Sequence, residues 1–541
     1  MEKGYLAFIL HAHLPFVRHP EYEDSLEEYW LFEAITETYI PLLAMLEKLA
    51  GEGVAFRLTF SLTPTLASML EDSLLQSRYL RRIEHQIELA AKEMQRTRHQ
   101  PEFHRLARMY YESFSKAKEL FTSRYKQNLL QAFRRLQELG FVELIASAAT
   151  HGYLPLLSVN PSSVSAQIRV GVDRHREAFG QRPGGFWLPE CGYYPGIDTF
   201  LREEKIRYTI LESHGITRAD VKPIYGVYAP LYCPSGVAVF GRDPESSKQV
   251  WSSVEGYPGD FDYREFYRDI AYDLEFEYIK PYVHEAGIRI DTGIKYYRIT
   301  GQDRSKEAYI PERAEQKAHI HAENFLDNRE KQIDFLASAM DRKPIIVAPY
   351  DAELFGHWWF EGPIWLEHVI RNVASKGDAL RLVTLSEYLE MYPINQVSVP
   401  SMSSWGYKGF SEVWLNGSND WIYPDLHRAG DLMAEMARDY PNAKGITRRA
   451  LNQAARELLL AQASDWAFML KLGVMTEYAT KRTRDHLLHS ERLFREVRDA
   501  SVDKAWLSLI ESRDNIFPHI DYRVFSRPKQ KSVHPRGSDD A

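Results

Sequence analysis

An α/β fold organised on a parallel sheet or barrel, interrupted by a helical insertion and followed by an all-helical C-terminal region, is what this 541-residue sequence predicts. Three observations carry the prediction. Short β-rich runs alternate with helical stretches. Ser73 to Gly140 is dense in Leu, Arg, Lys and Glu at helical spacing and nearly free of Gly and Pro. After about Pro400 strand signals stop.

The β-rich runs are YLAFIL (5–10), VAFRLTF (54–60), VELIAS (142–147), GFWL (185–188), RYTIL (207–211), VAVF (237–240), PIIVAP (344–349) and LRLVT (380–384). Strands spaced by helical patterns in this way build parallel sheets, because each crossover needs a helix's length of chain. The insertion splits the barrel into 1–72 and 141–395, with 73–140 between them. A polar aromatic loop, SSWGYKGFSEVWLNGSNDWIYPDL, opens the C-terminal helical domain, 396–527, and the polar tail 528–541 is expected to be disordered. Residues 241–260, rich in Gly, Pro and charge, are expected to form a mobile loop.

Composition narrows the function. Lys and Arg number 67 against 75 Asp and Glu, a net charge of −8, so there is no basic field to hold nucleic acid or an acidic membrane. Cys191 and Cys233 are the two cysteines, read as free thiols of a reducing, cytoplasmic compartment. The apolar run near the N-terminus is broken at once by His11 and His13, too short for a signal peptide or membrane span. Aromatic residues reach 13%, with 11 tryptophans, enough for a large aromatic core and for platforms that stack on sugar rings.

Chemistry-bearing residues gather where strands end. YLAFIL runs into His11 and His13, VELIAS toward His151, GFWL into Glu190 and PIIVAP into Asp351. In βα barrels that C-terminal mouth is where sites are assembled. The His-x-His pair can bind sugar hydroxyls, hold a metal as in some zinc hydrolases and deacetylases, or cap a loop. Glu190 sits in GFWLPECGYY and Asp351 in IIVAPYDAELFGHWWF, each a strand, a proline and a carboxylate framed by aromatics that include Trp187, His357 and Trp358. Two such acids are what glycosidic cleavage needs, one to attack or stabilise the anomeric carbon and one to protonate the leaving oxygen. Glu353, two residues on, rivals Asp351 for the second role.

HAHLP (His11 to Pro15), HGYLP (His151 to Pro155), WLPEC (Trp187 to Cys191), PYDAELFGHWW (Pro349 to Trp359) and ASDWAF (Ala463 to Phe468) resemble, in order, the five motifs of glycoside hydrolase family 57. The resemblance runs from about Tyr5 to about Phe525. It implies an incomplete (β/α)7 barrel and a retaining mechanism without metal or other cofactor, with Glu190 as nucleophile and Asp351 as general acid/base. His11, His13 and His151 match substrate subsites, and Asp465 a position at the domain interface or cleft floor. The helical C-terminal region and SSWGYKGFSEVWLN look similar to the branching subgroup, which implies α-1,4-glucan as donor and acceptor, and a monomer is expected. Trp405 and Trp414 match tryptophans lining the glucan groove there, Trp30 is a weaker candidate, and Tyr232 is the nearest candidate for that subgroup's loop tyrosine. The rival readings are an amylase-like hydrolase or 4-α-glucanotransferase, a metal-dependent deacetylase and a non-catalytic glucan-binding protein.

Overall fold

The structure, a computed structural model, describes residues 2–526 apart from 253–254, 285, 302–304 and 377–378. The expected tail, 528–541, lies outside the described residues. Nine strands form one curled sheet: β1 (Gly4–Ala12), β2 (Leu58–Leu62), β3 (Val142–Ser147), β4 (Gly185–Trp187), β5 (Tyr208–Leu211), β6 (Leu231–Tyr232), β7 (Ala238–Gly241), β8 (Ile345–Asp351) and β9 (Leu380–Leu382). Their order is β6-β7-β5-β4-β3-β2-β1-β8, with β9 beside the start of β1. All pairs are parallel except β6 with β7.

Seven parallel strands from β7 round to β8 make the incomplete (β/α)7 barrel. The sheet curls until Asp243 N–H, just past β7, donates to Val347 O of β8 at 2.8 Å. Period-2 alternation sorts the faces: Tyr5, Ala7 and Ile9 of β1 and Ile345 and Val347 of β8 fill the interior. Leu6, Phe8 and Leu10 lie under the surrounding helices. The same alternation continues to His11 and Asp351, which are register partners across β1 and β8.

Each predicted run is present as a strand, with two differences. The second starts at Leu58, because Val54 N–H closes the preceding helix onto Leu49 O and the chain to Arg57 is irregular. The two-residue β6 is too short to leave a periodic signal.

Between β2 and β3 run helices Pro64–Glu71, Ser73–Arg96, Pro101–Glu119 and Leu129–Glu138. The second and third carry a segment from the far half of the chain that the sequence did not associate with them. Arg82 donates to Tyr282 O at 2.8 Å, Gln86 to Thr292 O at 2.9 Å and Tyr110 to Lys295 O at 2.8 Å. After the barrel come helices Ile422–Asp439, Gly445–Ala461, Ser464–Leu472, Thr476–Arg498 and Lys504–Arg513. Among the described residues, no helix is long and apolar enough to cross a membrane.

Part of the expected mobile loop at 241–260 is helical. Helix Pro244–Trp251 occupies it, with Pro at the first turn and the Asp243 carboxylate capping Ser246 N–H at 2.7 Å. The Asp-Pro-Glu string is a helix start, with an aspartate cap and a proline in the first turn, and the same residue types also favour loops.

Candidate active site

His11 and His13 end β1, Ser61 and Thr63 end β2, His151 follows β3, Glu190 follows β4 and Asp351 ends β8. From the C-terminal helices Ser464 and Asp465 reach the same mouth. Their segment docks through a bridge between Gly152 and Ala463 and a bond from Ser464 N–H to His151 O at 3.1 Å.

The turn holding Glu190 is strained. Glu190 and Cys191 have φ of 61° and 51°, and His151 has 56°, left-handed backbone that costs L-residues about 1–3 kcal/mol each. Trp405 N–H donates to Glu190 O at 3.0 Å and so clamps the turn. Three such residues around one carboxylate mark a geometry that the surroundings impose.

Hydrogen-bond directions follow from the carboxylate, which when ionised only accepts. Trp405 Nε1–H donates to Glu190 Oε2 at 2.8 Å and Ser464 Oγ–H to Oε1 at 3.0 Å. Ser464 Oγ then accepts from His151 Nδ1–H at 3.0 Å, leaving His151 Nε2 to accept from His11 Nε2–H at 3.0 Å. His11 Nδ1 accepts from Ser61 Oγ–H at 3.1 Å. Both imidazoles are thereby neutral. Burial, reinforced by charge on His13, holds the pKa of each well below the usual histidine range.

His13 is the opposite case. Thr65 Oγ1–H donates to Leu14 O, so Thr63 Oγ1 donates to Thr65 Oγ1 and accepts from His13 Nδ1–H at 3.1 Å, while Nε2–H meets Asp465 at 3.1 Å. Both nitrogens donate, which makes a cation. Burial opposes that charge most strongly, but Asp465, Glu190 and Glu353 together outweigh it and raise the pKa. The rings stack, His13 on His151 at 3.8 Å and His11 on the buried Trp187 at 4.6 Å.

Asp351 has different company. Burial lifts its pKa well above the usual carboxylate range, the charges of Glu353 and Glu190 lift it further, and Arg242 alone opposes them. Glu353 is pinned by Tyr39 O–H at 2.6 Å and His13 N–H at 3.2 Å. Tyr39 belongs to a π-helical turn, Ile35–Tyr39, and Gly356, with φ of 110°, lets the loop after β8 pass so close that a Cβ there would lie 1.8 Å from Glu37 O. Burial raises Glu190, and so does the Asp465 charge, while the Trp405 N–H, His13 and the Ser464 hydroxyl oppose the rise. The arrangement can present one ionised and one protonated carboxyl to a bond between them.

The other expected substrate residues are placed variously. Trp414 is 1% exposed, stacked on Tyr153 at 4.3 Å, so it is a core residue and not a groove platform. Tyr232 pairs with Ala238, which pairs with Tyr208 at the start of β5, placing it at the opposite end of the barrel from the mouth. Trp187 supports His11 from within the core. Trp30 packs edge-on against Tyr478, His357 is bonded to Glu37 at 2.7 Å, and Trp358 is half-exposed beside Trp251.

Arg242, Glu212 and Ser464 were not anticipated. Arg242 pairs with Glu212 at 3.1 Å and lies over Trp405 at 5.7 Å. Both follow strands, so extending the strand-end rule to β5 and β7 would have found them. His13, His151 and Asp465 also offer ligand atoms within 4.8 Å of one another, close enough to share a cation.

A barrel mouth with a paired set of buried carboxyls among histidines and indoles defines a carbohydrate-active enzyme of the glycosidase class. Residues 7–402 match glycosyl hydrolase family 57, and residues 425–525 match the C-terminal domain of 1,4-alpha-glucan branching enzymes. The chain belongs to glycosyl hydrolase family 57. It is 35% identical to the 1,4-alpha-glucan branching enzyme of Thermococcus kodakarensis over 95% of this chain and 77% of that one. Among solved structures, an α-amylase from Thermotoga maritima is 45% identical with a TM-score of 0.91, covering 97% of this chain and 99% of that one. The branching enzyme of Pyrococcus horikoshii is 34% identical with a TM-score of 0.88, covering 98% of each.

Proposed function

We propose that this chain is a retaining 1,4-α-glucan branching enzyme in which Glu190 is the nucleophile and Asp351 the general acid/base. The opposed surroundings of the two acids carry the reading. Glu190 is the carboxylate given donors, and Asp351 the one surrounded by acids. Asp351 donates its proton to the glycosidic oxygen while Glu190 attacks the anomeric carbon, giving a β-linked glycosyl-enzyme and a free chain end. The 6-hydroxyl of a second glucan then attacks that carbon, Glu190 leaves, and ionised Asp351 takes the hydroxyl proton. Two inversions give net retention. Asp465, partly exposed at the mouth and held by His13, is positioned to meet sugar hydroxyls, with Trp405 on the other side of Glu190. The free, buried cysteines suit a reducing compartment, so the proposed location is the cytoplasm.

The acceptor separates this reading from its nearest rival. The match of residues 425–525 to the branching-enzyme C-terminal domain favours a sugar, while 45% identity to a protein named α-amylase favours water. Incubation with amylose followed by linkage analysis decides. New α-1,6 branches exceeding new reducing ends are expected, and reducing ends without branches would make the chain a hydrolase.

A further inference from the structure

Charged side chains gather where the π-helical turn Ile35–Tyr39 meets the loop that follows Asp351. Nearly all of them are partnered. Glu37 accepts from His357 Nδ1–H at 2.7 Å. Lys295 donates to Asp291 at 2.7 Å, Arg82 to Tyr282 O and Asp291 O at 2.8 and 2.6 Å, and Arg264 to Tyr110 at 3.4 Å. Two groups are left over. Among the described residues no hydrogen-bond partner reaches the Glu33 carboxyl or His357 Nε2, and the two are not paired with each other. Both residues are half-buried, and neither of these groups is shut off from solvent.

Their chemistry is complementary. Burial opposes a charge on His357, but the bond and charge of Glu37 outweigh it and raise the pKa, so Nε2 carries a proton and donates. Burial lifts Glu33 to about 7, against the charges of His357 and Arg82, which leaves a carboxyl that accepts. An anion would face Glu33, Glu37 and Asp291, and a cation would face His357, Arg82 and Lys295. A sugar hydroxyl is neutral and donates and accepts at once. Trp358, 44% exposed, and Phe266, edge-on to His357 at 5.4 Å, add apolar surface for the C–H face of a ring.

Position gives the side of the bond. The loop runs from Asp351 to His357, and Tyr39 of the same π-helical turn holds Glu353, so the group borders the proton donor. The nucleophile keeps other company, Trp405, His13 and Ser464. An acid that protonates the leaving oxygen stands on the leaving chain's side. We propose that Glu33 and His357 form a sugar-binding subsite for the leaving chain, and by the reverse path for the acceptor glucan. The choice of side rests on the roles proposed above for Glu190 and Asp351; the hydroxyl chemistry does not.

Glu33→Ala and His357→Ala should each raise the half-saturating amylose concentration roughly tenfold, as the loss of a hydrogen bond to a charged group does. Folding lifts the pKa of Glu33, so its removal does not cost stability at neutral pH, and Glu33→Ala carries the test if His357→Ala fails to fold. α-Maltosyl fluoride has no leaving sugar, and its cleavage without an acceptor reads the donor side alone. With maltopentaose added, the acceptor concentration that half-saturates transfer should rise by a similar factor in each variant. An unchanged amylose half-saturation in Glu33→Ala, or an equal rise with maltosyl fluoride alone, would overturn the proposal. The branching assignment fails separately: products of any linkage, and reducing ends too, read the subsite, whereas only α-1,6 linkages read branching.

Discussion

The turn after β4 and the end of β8 each deliver one carboxyl to the same mouth, and they are built in opposite ways. Glu190 rides a turn of left-handed residues, receives an indole N–H and a serine hydroxyl, and faces a histidine cation. Asp351 ends a regular strand; among the described residues no donor reaches its carboxyl, and two other acids press on it. Burial raises the pKa of both. Neighbouring acids push both further up, Asp465 on Glu190 and Glu353 on Asp351; what differs is the opposition, since Trp405, His13 and Ser464 work against the rise at Glu190 and Arg242 alone does so at Asp351. Two acids of nearly equal intrinsic strength are thereby separated into a base-like and an acid-like partner by surroundings alone.

The largest expected effect removes the better-bonded member. Glu190→Gln keeps shape and loses charge, so transfer and hydrolysis should fall together by roughly four orders of magnitude or more while glucan binding is nearly kept. Most of the activity surviving would sink the nucleophile assignment. Asp351→Asn should cost glucan turnover about 10²- to 10⁴-fold, yet spare a substrate with an activated leaving group, because little protonation is then needed. Azide sharpens the contrast: it should give an α-glycosyl azide with Asp351→Asn and a β-glycosyl azide with Glu190→Ala. Reversed anomers would exchange the two roles.

A smaller effect tests the donors. Trp405→Phe keeps an aromatic ring and deletes the N–H on Glu190 Oε2, a bond to a charged group worth about 1.5–3 kcal/mol. Turnover should drop on the order of 10- to 100-fold. Since that bond lowers the pKa of Glu190, its loss raises the pKa, and the acidic limb of the pH–kcat/KM profile should move to higher pH. An unmoved limb would reduce Trp405 to a sugar platform.

The two regions also show what a sequence reveals. Strand periodicity and the strand-end rule located His11, His13, His151, Glu190 and Asp351, because a carboxylate after an apolar strand and a proline has few places to go. Local pattern is silent on contacts made at long range. Ser464 to Glu190 spans 274 positions and Tyr39 to Glu353 spans 314, and no spacing announces either. The places of Trp414 and Tyr232 were illegible for another reason: an aromatic residue in a polar loop reads the same whether it ends exposed in a groove, stacked in the core or at the far end of the barrel. Only packing distinguishes them.

The smallest expected effect addresses the acids around Asp351. Glu353→Gln is nearly isosteric, and its carbonyl can still accept from Tyr39 O–H and His13 N–H, so the fold of the loop should hold. What changes is one negative charge beside Asp351. After burial, that charge is the leading influence holding Asp351 protonated, so its removal lowers the pKa of Asp351. The sign on activity follows: an acid that must be protonated loses its proton earlier, and the basic limb of the profile should move to lower pH. The acidic limb, set by Glu190, should stay nearly where it was, and the maximal rate should be largely kept. Burial raises Glu353 as well, so its charge counts mainly on the basic side, where the limb in question lies. If Glu353→Gln instead abolished turnover on activated and natural substrates alike, with both limbs in place, Glu353 would be the proton donor and Asp351 its neighbour.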